Sequence, residues 1–144
     1  LDSFELTSNS TATFQVKDIH TNGFGGLQGG VQCILMEHLA QSVAVQYFNE
    51  TQQQQQQQQE EELNIDCTQL QVSFQSTASK NVDLHAYVIS SDPTSKSVTI
   101  RAVVTTTKRK KKKKNGTNTN NKQEITSTSS TNVVSEGILT FRAR

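Results

Sequence analysis

Residues Gly30–Asn49 read GVQCILMEHLAQSVAVQYFN, and this stretch decides the fold. Apolar side chains stand at positions 31, 34, 35, 36, 39, 40, 43, 44, 45, 47 and 48. They occupy nearly the whole circumference of a helix, which predicts an α-helix buried on most sides. About 19 residues rising 1.5 Å each make a rod of about 28 Å, long enough to span a small domain. Cys33, Glu37 and Gln41 interrupt the apolar surface, with Gln32, His38, Ser42 and Gln46 on other sides. Glu37 lies among Leu35, Met36, Leu39 and Ala40, where an unpaired carboxylate is costly. Two readings follow from the spacing: a functional carboxylate on a buried helix, or a narrow wet stripe of Cys33, Glu37 and Gln41.

Immediately upstream, Thr21–Gly30 reads TNGFGGLQGG and holds five of the seven glycines. Such density predicts a loop whose backbone takes positive φ or comes close to another group. Gly29 and Gly30 open the helix, whose first amides have no internal partner and sit at the positive end of the dipole. That end is suited to an anion or a polarised carbonyl, and glycine lets a ligand approach the backbone. Glu37 lies two turns further in, on the face that carries Gly30. A carbonyl held at the helix start and a carboxylate within reach of it form a candidate hydrolytic pair. Before the loop, Thr11–Ile19 reads as a strand and Phe4–Leu6 as a shorter one.

Beyond the helix, Leu70–Phe74, Val82–Ile89 and Val98–Val104 alternate apolar and polar residues, and Val133–Phe141 supplies a last strand with Gly137 as a candidate bulge. Ser91-Asp92-Pro93-Thr94 predicts the turn between the second and third of these. One long helix and a set of consecutive strands must cover each other, so the expected class is α+β, an antiparallel sheet with one central helix. The chain of 144 residues is read as one domain carrying two low-complexity insertions. One is the Gln/Glu-rich stretch 52–62, the other the Lys-rich, then Asn/Thr/Ser-rich stretch 108–132. Both fall between elements, where added length costs little loop-closure entropy.

The segment Asn22-Gly-Phe-Gly-Gly-Leu-Gln-Gly-Gly, followed by Val31 and Glu37, resembles the signature of hotdog-fold acyl-CoA thioesterases of the phenylacetate-degradation type. That signature has an Asn, a Gly three residues on, then His-Gly-Gly, and an acidic residue nine positions after the His. Asn22, Gly25, Gln28, Gly29, Gly30 and Glu37 fall in this register, with Gln28 in place of the His and Glu37 where this branch often has Asp. Cys67–Ala78, CTQLQVSFQSTA, is similar to the family's next strand. The resemblance implies a hotdog fold and hydrolysis of a fatty or aryl acyl-CoA to the free acid and coenzyme A. It implies that the Gly29 amide polarises the thioester carbonyl. Glu37 is then general base or nucleophile, and Asn22 orients the carbonyl or the water. Gln28, Gly30 and Gln41 would position substrate or water, as would a hydroxyl or thiol at Cys67 or Thr68, an alignment slip of one deciding which. It further implies a homodimer or homotetramer, with Asn22 and Gly29 of one chain meeting Glu37 of its neighbour.

The remaining features bound these readings. Net charge is +1, and no aromatic residue stands inside the basic run Lys108–Lys114, so nucleic acid is not expected and a solvated loop is. Cys33 and Cys67 lack metal-site spacing, and no metal or cofactor is expected beyond the coenzyme A thioester itself. No run of 18 apolar residues suggests a spanning helix. A start at Leu1 leads to the expectation of a removed upstream segment, with cytoplasm or mitochondrion favoured. His20 is expected near the surface, His38 turned about 100° away from Glu37, and His85 on an exposed sheet face. The competing functions are a non-catalytic module that binds acyl-CoA or serves in oligomerisation, and a dehydratase, for which the loop after Asn22 offers no His.

Overall fold

The computed structural model describes residues 2–53, 63–108 and 130–144. Two short strands come first, β1 (Phe4–Ser8) and β2 (Thr11–Phe14), then a 3₁₀ turn at Asp18–His20 and the helix α1 (Gly29–Gln53). Four longer strands follow: β3 (Ile65–Phe74), β4 (Val82–Asp92), β5 (Ser97–Lys108) and β6 (Ser130–Ala143). All pair antiparallel in one sheet of order β1-β2-β4-β5-β6-β3. The helix crosses one face of this sheet, against β3, β4, β5 and β6. This is the α+β hotdog arrangement.

Alternation builds the core. Val82, Leu84 and Ala86 of β4, Val98, Ile100, Ala102 and Val104 of β5, and Leu139 and Phe141 of β6 are buried. They meet Leu35, Met36, Leu39, Ala40, Val43, Ala44 and Phe48 of α1. Gly137 is no bulge: it pairs in register with Ala102 and Val72. Its role is close approach, since a Cβ there would lie 2.9 Å from the Met36 sulfur.

Several boundaries differ from the sequence reading for identifiable reasons. The helix extends to Gln53, with Gln46 Nε2 donating to Glu50 Oε1 at 2.7 Å in the last turns. β2 ends at Phe14 because the chain turns, with the Lys17 amide donating to His20 Nδ1 at 3.0 Å and the His20 ring 4.8 Å from Phe14. β3 begins five residues before the predicted Leu70, and a register shift between Cys67 and Gln69 breaks the alternation that would have revealed it. Of the stretches 52–62 and 108–132, Gln52 and Gln53 belong to α1, Lys108 closes β5, and Ser130–Asn132 open β6. The rest of the glutamine tract and of the basic run lie outside the described residues. The predicted turn stands, with Asp92 accepting from the Thr94 amide and the Ser95 hydroxyl.

The helix is not buried on most sides. Ile34, Glu37, His38 and Gln41 are exposed, because a single sheet covers a single face. Among the described residues, no helix is long and apolar enough to cross a membrane.

Candidate active site

The glycine loop is held by its own polar groups. Asn22 Oδ1 accepts from the amides of Phe24 at 3.0 Å and Gly26 at 3.1 Å, and the Asn22 amide donates to Gly26 O. Gly25 takes φ 73°, a left-handed conformation that favours glycine. Asn22 thus organises the turn through its oxygen, and its side-chain NH₂ is the part left for a ligand. Gln28 clamps the loop to the helix start: its amide donates to His20 O, its Nε2 to Thr21 O at 2.7 Å, and its carbonyl accepts from Gln32. Leu27 ties the same loop to Ala78 O at 2.7 Å, beyond the end of β3.

Gly29 and Gly30 open α1 as predicted, and their amides donate to no group among the described residues. Their missing side chains have different meanings. A Cβ at Gly30 would meet nothing within 4 Å, so the helix start is open on that side. A Cβ at Gly29 would lie 3.1 Å from the tip of the Phe74 ring. The glycine at 29 therefore makes room for β3, where the sequence suggested room for a ligand.

Glu37 is exposed in the chain, which corrects its expected burial. The wet stripe of Cys33, Glu37 and Gln41 is realised, Cys33 half-buried and the other two exposed. The stripe borders β3. Cys67 pairs with Phe141 and packs against the core on the helix side of the sheet. Burial pushes the thiols of both Cys33 and Cys67 up, and the Glu37 carboxylate adds to each shift from close by. Thr68 falls at the register shift, exposed, with Oγ1 donating to Thr140 O at 3.2 Å. Cys67, not Thr68, faces the helix side and feels the Glu37 charge.

Gly29 and Glu37 are not brought together within one chain. Eight residues of helix separate them by about 12 Å of rise, far beyond the reach of one carbonyl group. Neither lines the depression of about 530 Å³ bordered by Asp66, Thr68, Lys96, Arg142 and Arg144. In the single chain the candidate site is an open margin between α1 and the edge strand β3. Phe74, 54% exposed, lies on that margin and was read from the sequence only as a strand residue. Alternation gave its face, but nothing in sequence spacing indicates that it reaches Gly29.

His20 meets the glycine loop through its carbonyl, while the other two histidines engage elsewhere. His38 packs edge-on against Phe4, ring centroids 5.0 Å apart, and His85 is exposed on β4. Among the described residues, no group of three or more His, Cys, Asp or Glu is placed to hold a metal ion.

No family model matches the sequence, and no curated protein matches it. Solved structures do resemble the fold. A Streptococcus mutans UA159 protein, smu.793, bound to acetyl CoA, aligns over 98% of this chain and 88% of its own at 11% identity, with a TM-score of 0.65. A hypothetical thioesterase protein from Streptococcus pneumoniae TIGR4 aligns over 99% and 92% at 9% identity, TM-score 0.65. An apo-hexameric acyl-CoA thioesterase aligns over 93% and 67% at 16% identity, TM-score 0.63. At such identities the likeness is one of fold, and the fold is the hotdog fold.

Proposed function

We propose that the protein is an acyl-CoA thioesterase whose site is completed between two chains: the Gly29 amide of one polarises the thioester carbonyl, and Glu37 of the other drives the attack. The observation that carries this reading is the placement of both groups on one margin, too far apart to serve the same carbonyl. A two-fold axis at Cys33, midway between them, sets Gly29 of each chain beside Glu37 of its partner. Along β3 the two landmarks are Phe74, against Gly29, and Cys67, near Glu37. Their midpoint falls between Leu70 and Gln71, so the same axis lets two β3 strands pair antiparallel. One symmetry operation satisfies helix and strand together.

The edge itself supports this. β3 is ten residues long and carries no Lys or Pro, two protections of an open edge, and past Asp66 and the register shift after Cys67 its second half is uncharged. The other edge, β1, has five residues and includes a glutamate. The structures resembling this fold include a protein bound to acetyl CoA and a hexameric acyl-CoA thioesterase.

In the reaction, the carbonyl oxygen accepts from the Gly29 N–H as negative charge develops. One such donor contributes about 2.7–4 kcal/mol in other enzymes. Glu37 takes a proton from water as the water oxygen bonds to the carbonyl carbon, or attacks that carbon itself to give a mixed anhydride that water then opens. The C–S bond breaks and the coenzyme A thiolate leaves and is protonated. Gln41, one turn from Glu37, can hold the water. Cys67 offers a thiol beside the carboxylate, kept protonated by burial and by the negative charge. Asn22 contributes its free NH₂, and Gln28 acts through the loop it clamps. Water and the thioester are the only reactants; no metal or other cofactor enters.

A second reading, a module that binds acyl-CoA without turning it over, is favoured by one observation: the Gln28 side chain is engaged with Thr21 O. Thiol release from a panel of acyl-CoAs separates the two. Glu37→Ala is expected to lower kcat by about 10²–10⁴-fold while substrate still binds. Equal turnover in the variant would remove Glu37 from the mechanism.

A further inference from the structure

Phe74 is the last residue of β3, on the sheet face that carries α1. Its ring tip closes on Gly29, within 3.1 Å of where a Cβ would stand, yet 54% of the residue remains exposed. Two and four residues back on the same face are Val72, half-buried opposite Gly137, and Leu70, 40% exposed opposite Leu139. Leu70, Val72 and Phe74 form an apolar strip of about 13 Å at 3.3 Å per residue. Along the bordering flank of α1 the ionisable groups are the Cys33 thiol and the Glu37 carboxylate, with no Lys or Arg.

Resting on the thioesterase reading above, we infer that Phe74 selects the acyl group and that the substrate class is an uncharged hydrocarbon acyl thioester. A carbonyl held by the Gly29 amide brings the first acyl carbons against the exposed ring, so the ring sets the width admitted there. Apolar carbons gain contact with the strip, as apolar area generally does on leaving water. An acyl group ending in a carboxylate finds no cation on the α1 flank and is repelled by Glu37, so it is disfavoured. Removal of the ring widens the space beside Gly29 and moves preference toward bulkier acyl groups. Discrimination by an apolar wall of this kind is about 10–200-fold per methylene-sized change.

The test measures kcat/KM by thiol release for hexanoyl-, dodecanoyl-, benzoyl- and succinyl-CoA with the full-length wild type, Phe74→Leu and Phe74→Ala, folding being checked by circular dichroism. Succinyl-CoA is expected to be the poorest substrate. The ratio of the bulky to the slim substrates is expected to rise about 10-fold or more in Phe74→Ala, with Phe74→Leu between. An unchanged ratio in folded Phe74→Ala overturns the assignment, as does efficient turnover of succinyl-CoA. If the wild type hydrolyses none of the four, the hydrolase reading fails separately. Dissociation constants for the matching non-hydrolysable thioether analogues then decide on Phe74 alone: the same shift in preference upholds it, identical preferences in wild type and variant overturn it.

Discussion

Glu37 was singled out by its position among apolar residues, and the sequence alone left open whether it would be buried or would join a wet stripe. In the chain it joins the stripe, because helix periodicity counts apolar positions without knowing how many layers will cover them. Asn22 and Gln28 show the same limit: the motif marks them, but their oxygen and NH₂ are engaged in holding the glycine loop, a use that spacing does not reveal. Between Cys67 and Thr68 a register shift, which no periodicity predicts, turns Cys67 to the helix side and leaves Thr68 exposed. Cys67 gives a direct probe of where Glu37 points. Its thiol is raised first by burial and then by the Glu37 charge, so the reactive thiolate appears only above the usual thiol range. In a Cys33→Ser background, the alkylation rate of Cys67 against pH is expected to rise at lower pH once Glu37→Gln removes the charge. Identical profiles with and without the charge would place Glu37 away from β3.

The helix was legible as an apolar-rich run of about 19 residues, too long for a strand, and the four long strands by their period of two. What was lost lay where polar residues continue a strand, as in Asp66–Gln69 and Ser130–Asn132, or where a local hydrogen bond ends one, as at Lys17–His20. Gly137 belongs to this scale, since its meaning lies in the distance between two elements. A side chain there must displace Met36, whose flexible thioether can yield to a small group and not to a branched one. Gly137→Val is expected to destabilise the fold by about 1–3 kcal/mol, the usual range for overpacking, as read from the urea midpoint at unchanged slope. A midpoint equal to wild type would show that α1 and β6 are not in close contact at this point.

For the molecule as a whole, the α+β class followed from the order of elements. The sheet order, with β3 beside β6 and β2 beside β4, and the separation of Gly29 from Glu37 became visible only once the helix was set against the sheet. A composite site makes a prediction that no single-chain site can imitate. Gly29→Pro removes the oxyanion amide at a helix position whose backbone tolerates proline. The Phe74 ring, 3.1 Å from the added Cβ, has to shift, so folding is checked by circular dichroism first. Glu37→Ala removes the carboxylate. Each alone is expected to be nearly inactive. Co-refolded in equal amounts, they form mixed dimers with one intact site, and about a quarter of wild-type activity should return under random isologous pairing. Absence of any recovery, with mixed dimers verified by mass, would place both groups in the same chain's site.

The open β3 edge bears on how the protein survives its own synthesis. If the proposed pairing covers it, each chain that has not yet met a second copy presents a strand edge with Leu70 and Phe74 alongside, an adhesive seam open to any passing strand. That waiting time lengthens as expression falls, because encounter is second order in the chain. Cells making little of the protein are therefore expected to lose a disproportionate share of it to proteolysis, a loss first order in the chain, so that abundance falls faster than synthesis.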